Sequence, residues 1–166
     1  MGVKFKTTKN KFPEMVKTAK LLNGRKVQVG CIQGDHAWLA SIHEYGCNIP
    51  VTPKMRAFLH SKGVHLKKST KYIHIPERSF LRSGHDKNIS KIMDKSDRLL
   101  KLVLGGQLTE DDYLKQIGLE LATAIKTYAR DLSSPPNSDF TIQEKGSNNP
   151  LVDTGNLIEG IMFEVE

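Results

Sequence analysis

The chain has 166 residues, 38% of them hydrophobic and 26% charged, with a formal net charge of +7. That length suits about one domain with a sizeable core, and no apolar run approaches the ~20 residues of a membrane-spanning helix. The opening Met-Gly-Val-Lys-Phe-Lys lacks the apolar centre of a secretory signal, and Lys6 stands where a myristoylation signal needs Ser or Thr, so a cytosolic product is expected. Cys31 and Cys47 are then expected as free thiols.

The charge is unevenly spread. Residues 1–91 hold 18 basic against 5 acidic residues, a net +13, whereas residues 92–166 hold 7 against 13, a net −6. Such a chain can bind nucleic acid or another acidic surface, or set its basic face against the acidic face of a second copy.

Residues 1–11 form a basic arm carrying Lys4, Lys6 and Lys9. Phe12, Met15, Val16, Ala19 and Leu22 then recur at helical spacing over 11–23, with Pro13 suited to the first turn and Gly24 to the end. Residues 26–32 alternate as a strand, Gln33-Gly34 turns the chain, and Asp35 caps a helix over 36–45 that Gly46 ends. Trp38, Leu39, Ile42 and Tyr45 are its expected buried residues. His36, His43 and Glu44 lack the i, i+4 histidine spacing of a helical zinc site, no cysteine pair lies nearby at zinc spacing, and no metal or other cofactor is expected.

Thr52-Pro53 starts a short helix that runs to Gly63. Residues 64–75 read as a basic hairpin insert with Lys67, Lys68 and Lys71 at or just beyond its tip, and residues 76–82 as a loop placing Phe80 and Leu81 in the core. A long helix over 86–104 ends at Gly105-Gly106. Thr109 caps the longest, to about Leu132, whose stripe is Leu114, Ile117, Leu121, Ile125, Tyr128 and Leu132. A polar loop runs from 133 to Pro150, and after a turn at 153–155 a strand alternates Ile161, Phe163 and Val165 with polar or flexible residues.

Asp153-Thr154-Gly155 matches the triplet of aspartic proteases, in which two carboxylates share a proton. Only 11 residues follow Gly155, too few for a flap and further core strands, so no catalysis is expected of Asp153. No phosphate-cradling glycine loop or nucleophile elbow is present. The expected fold is α+β in one domain over 1–166: a small antiparallel sheet of the 26–32 strand, the 64–75 hairpin and the terminal strand, packed against two long helices.

Three stretches carry a resemblance: Ala40-Ser41-Ile42-His43-Glu44-Tyr45-Gly46, Ile75-Pro76-Glu77-Arg78-Ser79-Phe80-Leu81-Arg82, and Pro150-Leu151-Val152-Asp153-Thr154-Gly155-Asn156-Leu157. In this order they resemble the marks of the neck, or tail-completion, proteins of long-tailed bacteriophages. The insert at 51–75 and the basic N-terminus depart from the family pattern. The resemblance implies structural roles for His43, Glu44, Gly46, Pro76, Arg78, Phe80, Arg82, Asp153, Thr154 and Gly155. It further implies a non-catalytic virion protein, assembled in the host cytoplasm, that forms a homo-oligomeric ring at the head–tail junction. Its partners would be head-closure or connector proteins, tail-terminator or tail-tube proteins, and DNA passing through the channel, with no membrane. Lys4, Lys6, Lys9, Lys67, Lys68 and Lys71 are candidates to touch DNA or a neighbouring protein. The alternative is a stand-alone nucleic-acid-binding protein using the 4–20 lysines as an arm and Lys67, Lys68 and Lys71 as a clamp; aromatic content of 7% counts against single-strand recognition.

Overall fold

The longest elements form an antiparallel helical hairpin, α4 (Phe80–Leu104) and α5 (Glu110–Asp131), around which the other elements are arranged. In chain order the rest are α1 (Phe12–Leu22), β1 (Val27–Cys31), α2 (Gly34–Tyr45), β2 (Cys47–Pro50), α3 (Pro53–Ser61) and β3 (Tyr72–Ile75), then α6 (Asp139–Lys145), α7 (Asn156–Glu159) and β4 (Ile161–Val165). The computed structural model describes residues 10–32 and 34–166, the side chain of Asp35 excepted. The arm lysines Lys4, Lys6 and Lys9, the turn at Gln33 and the Asp35 cap lie outside the described residues. No described helix is long and apolar enough to cross a membrane.

The mixed class is as expected, with two long helices packed on a small antiparallel sheet. The make-up of that sheet differs. β1 pairs only with β4, in a register running from Val27 opposite Val165 to Cys31 opposite Ile161. Residues 64–75 form no hairpin: β3 pairs instead with β2 in a second two-stranded sheet, Cys47 opposite Ile75 and Pro50 opposite Tyr72. Arg56 of α3 explains this. Its guanidinium donates to the carbonyls of Leu66 (3.0 Å), Lys67 (3.0 Å) and Thr70 (2.8 Å), so carbonyls that a hairpin ladder would use are already bound. The insert is therefore a helix and a clamped turn spanning β2 and β3, with Lys67, Lys68 and Lys71 exposed.

The core joins Ala40 of α2, Phe80 of α4, Ile125 and Ala129 of α5, and Leu151, Leu157, Ile158 and Ile161 of the C-terminal segment. The buried line of α5 is Leu114, Gly118, Ala122, Ile125 and Ala129, rotated from the expected stripe so that small residues lie at its centre. The reason is close approach on two sides. A methyl at Gly118 would sit 2.8 Å from Phe163 Cγ of β4, and one at Gly84 of α4 would sit 3.3 Å from Tyr128 Cδ1. The larger Ile117, Leu121, Tyr128 and Leu132 flank this line, half-buried.

Three further expectations are corrected. α1 forms over the expected residues, yet none of it is buried, and Phe12 is exposed. On α2 the buried residues are Ala40 and Glu44, whereas Trp38 and Tyr45 are 68% and 66% exposed and Leu39 lies at the surface. The polar loop 133–150 contains α6, capped by the Ser138 hydroxyl, which accepts from Thr141 N–H, and ended by Gly146 at φ 67°.

Gly118→Ala is expected to lower stability by about 1–3 kcal/mol in urea unfolding, because the clash with Phe163 outweighs the roughly 1 kcal/mol gained in helix propensity. Adding Phe163→Leu to Gly118→Ala should recover part of the loss. A Gly118→Ala protein as stable as the parent would refute this account of the α5–β4 contact.

Candidate functional site

The residues of the first two motif stretches meet in one polar node beside the core. Glu44, on the last turn of α2, is 3% exposed. Its carboxylate accepts from the backbone N–H groups of Leu81 (2.8 Å) and Arg82 (3.0 Å), from the Ser79 hydroxyl (3.2 Å) and from Arg82 Nε (2.9 Å). Leu81 and Arg82 are the second and third residues of α4, the positions whose free N–H groups an N-cap side chain ordinarily satisfies. Ser79 is the N-cap by position but makes no side-chain cap bond of its own. Glu44 does that work from 35 residues upstream, placing negative charge at the positive end of the helix. For this reason α4 begins at Phe80 rather than at Asp86, and Phe80 enters the core as a helical residue with no exposed surface.

Arg82 closes the node. Its guanidinium also donates to the Glu44 carbonyl (3.0 Å) and to Glu77 (2.7 Å), and lies over the Tyr45 ring at 4.8 Å. Hydrogen bonds to Glu44 and then Glu77 raise its pKa above the ordinary arginine value. Gly46 is at φ 68°, and a Cβ there would lie 2.8 Å from both Glu77 N and Ile75 O. Glycine is required twice over, by conformation and by contact. Pro76 is half-buried in the loop passing this glycine.

Arg78 anchors the other side. It is 4% exposed, its Nε donates to the Pro135 carbonyl (2.8 Å), and its Nη2 donates to the Pro136 carbonyl (2.9 Å) and to Asn137 Oδ1 (3.2 Å). Its backbone N–H donates to the His43 carbonyl (2.7 Å), and its Nη1 approaches His43 Nδ1 at 3.5 Å. Burial and the nearby Arg78 and Lys145 charges push the His43 pKa down to about 4, so the ring is neutral at neutral pH.

The third stretch lies alongside. Residues 150, 151 and 153–157 form, with His36, Leu39 and His43 of α2 and Asn137, Thr141 and Lys145 of the α6 region, a cleft of about 390 Å³. Asp153 and Thr154 are exposed on its edge, and Gly155, at φ 90°, precedes α7. Asp153 is the one carboxylate among the lining residues, so the shared-proton pair of an aspartic protease has no second member there. Lys67, Lys68 and Lys71 belong to the insert and do not line this cleft. No group of three or more His, Cys, Asp or Glu among the described residues could hold a metal ion.

The sequence does not single out Lys145, Asn137 or Thr141, because residues 133–150 are expected as loop. The signals were present in Ser138 as a cap and Gly146 as a stop. The partnership of Glu44 with α4 had no local signal at all. No protein-family model matches the chain, and neither a curated protein nor a solved structure matches it.

Glu44→Gln replaces a carboxylate acceptor by an amide that presents two donors to a ring of donors. It is expected to cost on the order of 3 kcal/mol in urea unfolding, the scale of a broken buried ion pair; a loss below about 1 kcal/mol, the ordinary cost of a neutral N-cap, would contradict the node. For His43 the sign follows from its depressed pKa. Between the ordinary 6.5 and about 4 the unfolded chain binds a proton that the fold refuses, so stability is retained above pH 6.5 and lost on acidification. From pH 7 to 5 this amounts to about 2 kcal/mol. His43→Asn should lose correspondingly less than the parent over that interval in thermal unfolding, and equal losses would remove His43 as the cause.

Proposed function

We propose that the protein is a structural, non-catalytic virion component of a tailed bacteriophage, forming a homo-oligomeric ring at the head–tail junction. There it joins tail to head around the DNA channel, in contact with head-closure or connector proteins on one side and tail-terminator or tail-tube proteins on the other. The observation that carries the reading is the convergence of the three resembling stretches. Residues 40–46, 75–82 and 150–157 lie far apart in sequence, yet Glu44 caps the helix that the second begins, and Ala40, Phe80, Leu151 and Leu157 share one core cluster. Chance matches to a pattern have no reason to pack together, whereas the marks of one fold do.

Two surface features suit subunit contacts. The outer face of α2 exposes Trp38 and Tyr45, with Arg82 against the latter, and these are the residue types enriched where interfaces are strongest. The surplus of positive charge in residues 1–91 and of negative charge in 92–166 is the complementarity that a head-to-tail contact closing by rotation would use.

One observation favours the alternative of a stand-alone nucleic-acid-binding protein. Lys87, Lys91, Lys95 and Arg98 follow one side of α4, rising about 6 Å for every four residues. Two of the four are already engaged, Lys95 with Glu120 and Lys87 over the Tyr128 ring, so the head–tail reading is preferred.

A virus unable to make this protein is expected to accumulate filled heads and finished tails that stay apart under the electron microscope. Supplying Lys67→Ala/Lys68→Ala/Lys71→Ala protein should restore fewer infectious particles than the parent does, although its unfolding differs by less than ~0.5 kcal/mol. Joined particles in normal yield without the protein would overturn the assignment.

A further inference from the structure

The cleft beside the node has a charge pattern that the head–tail reading does not use. Lys145 lines it, and Arg78 lies behind His43 in its wall. Neither cation has a carboxylate within ion-pair distance among the described side chains. Lys145 Nζ donates to the carbonyls of Asn149 (3.1 Å) and Pro150 (3.5 Å), which leaves one of its three N–H groups without a partner. The approach of Arg78 Nη1 to His43 Nδ1 makes that nitrogen the acceptor, so the neutral ring carries its proton on Nε2 as a further donor. Thr141 and Thr154 add hydroxyls, and Leu39, Leu151 and Leu157 provide an apolar wall. The volume of about 390 Å³ lies within the range of small-molecule sites.

The perturbations of the ionisable groups share one sense. Burial lowers the pKa of His43 and of Lys145 and the Arg78 charge lowers both further, with the Asp153 charge partly offsetting the shift at Lys145. Positive charge is disfavoured at this place, and the charge of a bound anion would oppose both shifts. Lys145 and Arg78 against Asp153 leave a local excess of one positive charge, which matches a monoanion better than a dianion.

We propose that this cleft is a binding site for a carboxylate carrying a short apolar body, held by Lys145 and His43 with Arg78 behind them and the leucine wall around its tail. Asp153, on the edge, opposes the anion and sets its affinity. The site stands apart from the head–tail assignment and survives its failure.

The test follows the His43 ring resonances of the full chain by NMR during titration with butyrate, with acetate, phosphate and chloride at matched ionic strength. Butyrate is expected to shift them saturably and to raise the His43 titration midpoint. Acetate should need several-fold higher concentration, and phosphate should be weaker than butyrate. Lys145→Gln, which keeps a donor for the Asn149 and Pro150 carbonyls, should abolish the saturable shift, and Lys145→Arg should retain it. Asp153→Asn should bind butyrate at least threefold more tightly. If Lys145→Gln responds as the parent does, if Asp153→Asn binds more weakly, or if butyrate acts no differently from chloride, the site does not exist as described. Should Lys145→Gln fail to fold, the direction of the Asp153→Asn effect decides.

Discussion

A buried carboxylate is costly to a fold unless it is surrounded by donors, and the amino end of a helix is costly unless its first N–H groups find acceptors. Glu44 and α4 resolve each other's problem. Four hydrogen bonds converge on the two carboxylate oxygens, two of them from the backbone of α4. Much follows from that pairing. α4 must start beside the last turn of α2, the chain between β3 and α4 must pass tightly over Gly46, and Phe80 must enter the core. α2 must turn Ala40 and Glu44 inward, so its large side chains Trp38 and Tyr45 face outward.

Around this node the packing relies on small residues as much as on large ones. α5 lies between α4 on one side and the β1–β4 ribbon on another, and it meets the ribbon at Gly118, beside Phe163 and Val27, and α4 at Ile125 and Tyr128, beside Gly84. Close backbone approach lets β4, the last strand, deliver Ile161 to the core and Phe163 against Gly118. The ladder continues one pair beyond the strand, with Lys26 and Glu166 exchanging both backbone hydrogen bonds.

The buried polar side chains of this chain are occupied by hydrogen bonds within the fold. Among the described residues no buried side-chain nitrogen or oxygen lacks a partner. That is the condition of a node built to hold elements together. The exposed α2 face, the lysines of the insert, the basic ridge of α4 and the cleft around Lys145 are surfaces at which the described part of the molecule can meet something else.

Local rules acting along the chain were enough to locate most helices and the terminal strand. Thr52 and Thr109 cap the helices they precede, Gly24 and Gly106 follow helix ends at positive φ, and Ile161, Phe163 and Val165 alternate inward. Capping, turn and period-two signals involve residues within four positions of each other, which is why they can be seen without a fold. Burial did not follow from periodicity alone. α1 has a clear apolar stripe and no buried residue, and the stripe of α5 is rotated to suit its two neighbours. The start of α4 and the partner of β3 were beyond local reading for one reason. A carboxylate 35 residues upstream makes the helix begin early, and a guanidinium on α3 binds the carbonyls of residues 66, 67 and 70, leaving β3 to pair with β2. The sequence contains the acid and the bases, but only the folded chain brings each to the backbone groups it must satisfy.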